Sequence, residues 1–211
     1  MKKLNTLAVA GLFGLVVAHG TGALAADLPT VGAVEKVQAK AEAVNRDAVR
    51  TLNPGAPVIF ADRLQTGEAS RLQSMLKDGT QLTLGERAML VVDEYVYDPS
   101  QDGGKLALKV VEGAFLFVGG KIEGKTGGNV DIRTPVGTLG VRGTTVWGGR
   151  IDGGYGILVL DGEVRLQTHS GSVTLNAGQA TMVYEAGGEP AMPHAWPQEK
   201  IDRAVATISF R

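Results

Sequence analysis

The chain has 211 residues, 21 basic against 22 acidic, with 44% hydrophobic residues, 30 glycines and no cysteine. No disulfide can therefore offset a weak core, and no thiolate can serve as nucleophile or metal ligand. The lysines and arginines form no run, which argues against a nucleic-acid binder and against a polybasic membrane-surface segment.

The first element in chain order is an export signal. Met1, Lys2 and Lys3 precede an apolar stretch from Leu4 to Ala18 whose only polar residues are Asn5 and Thr6, and the small-residue sequence Ala23, Leu24, Ala25 follows. This order of charged, apolar and cleavage regions predicts a signal peptide over residues 1–25, too short in its core for a comfortable span. Cleavage takes Lys2 and Lys3 from the basic count, leaving 19 against 22 acidic residues and a net charge of −3. The expected location is the periplasm, with no direct membrane insertion after cleavage.

From Val31 to Val183, glycine-punctuated apolar runs give a turn signal roughly every 8 to 15 residues, the rhythm of many short strands. Leu72, Ser74 and Leu76 alternate, as do Leu106, Leu108 and Val110, and Val164 and Leu166, so these strands each have one wet face. Met89 to Val92, Ala114 to Val118 and Ile157 to Leu160 are apolar on both faces, which suits strands covered by a second layer. Asp78-Gly79, Glu112-Gly113, Asp152-Gly153 and Asp161-Gly162 each read as a tight turn between strands. Their unequal spacing excludes a strict repeat but fits an irregular solenoid or roll. The expected fold is all-β, an irregular β-solenoid or β-roll of many short strands with a short C-terminal helix. The β domain occupies residues 26–184. A Gly- and Pro-rich linker and the helix follow over residues 185–211, the helix carrying Ile201, Val205 and Ile208 on one face.

Candidate chemistry is sparse. His169 and His194 lie in different segments without a third ligand, so a zinc site is not expected, and Met182, Met192 and His194 offer only a weak case for copper. Ser170 sits in a hairpin turn rather than a G-x-S-x-G elbow. Asp93, Glu94 and Asp98 alternate with Tyr95 and Tyr97, but the segment lacks a calcium-loop pattern; it reads better as a contact surface with Asp93, Tyr95 and Tyr97 on one face. Trp147 is added to that candidate surface as an aromatic. No catalytic residue, cofactor or metal site is expected.

The densest local pattern runs from Ile132 to Thr144 (Ile-Arg-Thr-Pro-Val-Gly-Thr-Leu-Gly-Val-Arg-Gly-Thr) and reads as strand, sharp turn, strand, with Arg142 placed to cap carbonyls or to pair with an acidic residue. Thr134, Pro135, Gly140, Arg142, Gly143 and Thr144 in this order resemble the signature of the FecR-like periplasmic domain. Leu64-Gln65-Thr66-Gly67, Lys77-Asp78-Gly79-Thr80, Glu112-Gly113-Ala114-Phe115, Leu160-Asp161-Gly162-Glu163-Val164 and Ala177-Gly178-Gln179 agree with it, over about residues 52–184. The resemblance implies a structural role for the signature and a non-catalytic sensing module of envelope signal transduction. FecR signal transducers place a sigma-controlling segment in the cytoplasm and sense a siderophore receptor from the periplasm. A signal peptide at one end and a short tail at the other lead us to expect a stand-alone module instead, its partner an unidentified periplasmic or membrane-anchored protein. The alternative expectation is a carbohydrate- or envelope-polymer-binding module that stacks sugars on Tyr95, Tyr97 and Trp147.

Overall fold

The computed structural model describes residues 28–101, 103–124 and 128–211. The expected signal peptide lies outside them. No helix of the described residues is long and apolar enough to cross a membrane.

The strands are β1 (Thr30–Gln38), β2 (Ala41–Asn45), β3 (Ala48–Thr51), β4 (Pro57–Ile59), β5 (Arg63–Thr66), β6 (Arg71–Leu76), β7 (Gln81–Leu84) and β8 (Met89–Val96). They continue with β9 (Gly104–Glu112), β10 (Phe115–Val118), β11 (Gly128–Arg133), β12 (Thr138–Ile151), β13 (Gly154–Gln167), β14 (Ser172–Asn176) and β15 (Ala180–Val183), before the helix α1 (Gln198–Ala206). All fifteen join one sheet. Its main path runs β3-β2-β5-β8-β9-β11-β12-β10-β7-β6-β1-β4, and β13 branches from β12 to hold β14 and β15. The expected all-β fold with a short C-terminal helix is present. Pairing is antiparallel except between β9 and β11, so the sheet is curled rather than built from stacked parallel coils.

The curl brings the two ends of the path together at Asp62, which is fully buried. Its carboxylate accepts hydrogen bonds from Asn45 Nδ2 (2.9 Å), Arg50 Nη2 (2.5 Å) and the Ile59 amide (2.8 Å), and so ties β2, β3 and β4. Inside the curl lies the main core, where Leu72, Leu82, Leu106, Phe115, Phe117 and Leu166 are buried as the alternation requires.

A second, smaller core lies on the outside of the sheet. Trp147, Leu158, Ala180 and Met182 pack there under Trp196, Ala204 and Ile208, with Ile201 and Val205 partly buried beside them. The helix therefore docks on the face expected of it. Arg203 (2.7 Å) and Lys200 (3.1 Å) clamp Asp152 in the β12–β13 turn and hold its carboxyl down to about 2. This layer explains why Ala114 to Leu116 and Ile157 to Val159 are apolar on both faces. The far face of Met89 to Val92 has no such cover and is half-exposed.

Two expectations need correction. The segment expected as a linker is ordered along β15: Ala180 and His194 exchange backbone hydrogen bonds (2.9 and 3.1 Å), and Thr181 Oγ1 donates to Ala191 O at 2.6 Å. Asp161-Gly162 is no turn, because it lies inside β13 where the long β12–β13 hairpin shifts register. Bulges and tight turns draw on the same acidic-glycine chemistry, which is why sequence alone merged them.

Candidate interaction site

The hairpin crosses between the two halves of the curled sheet at that register shift. Thr138, Leu139 and Gly140 pair with β11, whereas Thr145 to Gly148 pair with β10. Between them Gly143 has φ +60°, and opposite it Gly162 has φ +78°. The signature segment is therefore the bulge at which one strand serves two neighbours.

Most of its residues are used in holding this shape. Thr134 Oγ1 donates to Gly137 O at 2.8 Å and accepts from the Val136 and Gly137 amides at 3.3 and 3.2 Å, closing a turn that has Pro135 at its second position. Thr168 and Gly171 repeat the arrangement at the β13–β14 turn, where Thr168 Oγ1 lies 3.1 Å from both Gly171 O and Gly171 N. Thr144 is buried; its hydroxyl accepts from the Arg142 amide (2.8 Å) and donates to Glu163 O (3.0 Å).

The residue that completes the bulge is Glu123, which sequence reasoning passed over. Its Oε2 accepts the Thr144 amide at 2.9 Å, while Oε1 is buried without a partner among the described residues. Burial is the largest influence on this carboxyl and raises its pKa; nearby Asp78 adds to the rise, and the Thr144 and Gly143 N–H groups oppose it. The folded protein thus retains a proton at pH values where the unfolded chain has released it. Stability from this group falls as pH rises from the ordinary glutamate range through the raised value. Glu123→Gln keeps an acceptor for Thr144 and abolishes the titration, so thermal melts at acid and neutral pH should show a flatter pH profile with no loss at pH 7. Glu123→Ala should be less stable at every pH. A Gln variant that melts well below wild type at pH 7 would show that the charge itself is required.

Arg142 departs from the clamp expected of it. Its side chain is exposed, and its guanidinium has no hydrogen bond or ion pair among the described residues. It stands across from Glu163 on the outer face, while Arg165, also exposed and unpaired among the described residues, stands across from Gly140. Gly140 has nothing within 4 Å of the place a Cβ would take, and neither has Gly143. These absences leave an open trough of about 710 Å³ walled by Glu123, Asn129, Arg142, Glu163 and Arg165.

The other candidate surface is not assembled. Asp93 is a bulge residue, since the register of β8 on β9 shifts between Val92 and Glu94. The bulge reverses the alternation and turns Tyr95 and Tyr97 toward the core, where they are partly buried. Their ring centroids are 6.4 Å apart. Tyr95 Oη accepts the Asp78 amide at 2.9 Å and lies 3.3 Å from Asp78 Oδ1; burial, then Asp78, push its hydroxyl pKa up. Asp93 stays exposed, 3.4 Å from Arg133. Trp147 is fully buried beneath α1 and offers no ring to a ligand. Among the described residues no group of three His, Asp or Glu side chains could hold a metal ion. His194 Nδ1 lies 3.0 Å from Met192 O, and Met182 Sδ is met by Lys200 Nζ at 3.6 Å.

Residues 62–165 match the family described as FecR protein. Two crystal structures of a candidate anti-sigma factor from Parabacteroides distasonis ATCC 8503 share the fold, one at 18% identity with a TM-score of 0.53, the other at 17% and 0.50. Each match covers 66% of this chain and 62% of the other, so the chain spans less than two thirds of the length of those proteins. No curated protein matches the sequence.

Proposed function

This chain is a FecR-like protein through residues 62–165, and from that premise we propose that it is a non-catalytic interaction module of envelope signal transduction, binding a periplasmic or membrane-anchored protein on a curled β scaffold. The observation that carries the reading is the division of labour within the signature. Thr134 and Thr144 spend their polar groups on the bulge and its turn, whereas Arg142 and its neighbour Arg165 present guanidiniums unpaired among the described residues beside an open trough. An exposed arginine with no internal partner has its donors free for a carboxylate or carbonyl on another molecule. The candidate anti-sigma factor that shares the fold supports a protein partner.

A photocrosslinking residue at Thr174, exposed and paired with Arg165, tests this in the cells that make the protein. The captured protein is identified and the complex rebuilt from purified components. Changing both Arg142 and Arg165 to Gln, which removes the charges without setting an acid across from Glu163, should abolish the complex and leave stability within about 0.5 kcal/mol, as for surface positions generally. Unchanged binding, or a loss of stability of more than about 1 kcal/mol, would sink the proposal.

We further propose export to the periplasm, supported by the pattern of residues 1–25. N-terminal sequencing of the protein recovered from the cell envelope should begin within a residue or two of Ala26. Recovery of Met1 in the membrane fraction would contradict it.

A further inference from the structure

At one end of the sheet, far along the hairpin from the trough, four neighbouring strands finish together. β6 begins at Arg71, β7 ends before Glu86 and Arg87, β10 begins after Ala114, and β12 is nearly spent at Arg150. The last turn of the chain after α1 reaches the same place, with Thr207 on the wall of a 310 Å³ pocket lined by all of these residues.

The pocket's charges are unbalanced. Arg71 is only 5% exposed, yet it has no ion pair among the described residues. Its Nη1 donates to Ser70 O at 2.7 Å and Nη2 to Ala206 O at 3.4 Å, while Nε–H is buried with no acceptor among the described residues. The carbonyls at the end of α1 offset part of this charge, but a buried guanidinium without an anion is costly. Arg150 is exposed and unpaired among the described residues. Arg87 is engaged only by Glu68, at 3.0 Å and with both side chains largely in water. The one carboxylate on the wall, Glu86, is exposed and accepts the Ala69 amide at 3.0 Å. Three arginines thus line a space of small-molecule size whose wall carries one carboxylate, Glu86, with Glu68 beside Arg87 as the one other acid paired there among the described residues.

We propose that this pocket binds a small oxyanion, a carboxylate or phosphate group, through Arg71, Arg87 and Arg150. Planar guanidinium forks recognise such groups with paired hydrogen bonds, and Arg71 is held in place by its two carbonyl contacts before any ligand arrives. The site lies apart from the trough, and its ligand is independent of the partner bound there.

Titration of the whole protein with inorganic phosphate and, separately, with acetate, followed by the amide NMR signals of Gly113, Ala114 and Thr207, tests the site. Sodium chloride at matched ionic strength is the control. At least one oxyanion should give saturable shifts; a response to phosphate alone marks a phosphate ligand, and a response to acetate marks a carboxylate. Arg150→Gln, at an exposed position where folding is not at stake, should weaken binding by about tenfold or more, the worth of one charge-assisted hydrogen bond. Glu86→Gln should tighten it. Shifts reproduced by chloride, no shift with either oxyanion, or an affinity unchanged in Arg150→Gln would overturn the proposal.

Discussion

A valine at position 162 is expected to lower stability by about 3 kcal/mol or more, through positive-φ strain and a steric clash together. A Cβ on Gly162 would lie 2.2 Å from Gly143 O, 2.8 Å from Gly143 C and 2.9 Å from Arg142 O. These are backbone atoms of the crossing strand, so no rotamer change relieves the contact. The position also has φ +78°, which β-branched residues avoid. Gly143 is different: its φ is +60°, but no atom lies within 4 Å of an added Cβ. Gly143→Val should therefore cost only the strain of its backbone, about 1 to 3 kcal/mol, and Gly143→Asn less, because asparagine tolerates the left-handed region. Denaturant unfolding of the three variants ranks them. Equal losses at 162 and 143 would mean that close packing of the two strands at the crossing is not what the segment protects.

That ranking bears on what was legible in the sequence. Alternation located the core strands correctly, since Leu72, Leu106, Leu108, Val164 and Leu166 are all buried. Alternation fails wherever a strand carries an extra residue, and no residue type announces one. Asp93 looks like any exposed acid, yet as a bulge it moves Tyr95 and Tyr97 from the expected outer face to the core side. Asp161-Gly162 carries turn chemistry in the middle of a strand. The signature was legible as structure, and Thr134 and Thr144 act as such, but the same reading placed Arg142 in a clamp that does not form. Whether an arginine finds a partner depends on which carboxylates the folded sheet brings within reach. Glu123 shows the converse: its one sequence cue is a lone acid in a Gly-rich connection, and its importance comes from meeting a bulge contributed by residues about twenty positions further along.

Trp147 tests the assignment of the outer layer. Alternation along β12 puts it opposite the buried Val146, on the outer side, and there a sequence reader finds an aromatic facing solvent. The signal that corrects this is the tail: an amphipathic helix with Ile201, Val205 and Ile208 on one face needs an apolar surface beneath it. The structure supplies Trp147 as that surface, fully buried, its Nε1 donating to Thr207 Oγ1 at 3.0 Å and its ring edge-on to Trp196 at 6.1 Å. Trp147→Ala should therefore lower stability by about 3 to 5 kcal/mol, as large core aromatics do when truncated. Because α1 rests on this ring, the loss has a local signature: amide exchange over residues 198–206 should speed up well beyond that of β6 or β9. Trp147→Phe retains much of the packing and gives up the bond to Thr207, so it should cost less, about 1 kcal/mol for the hydrogen bond with a smaller packing loss added. A Trp147→Ala protein that melts like wild type, keeps its helix protected and yet loses a ligand would return this residue to the recognition surface that the sequence suggested.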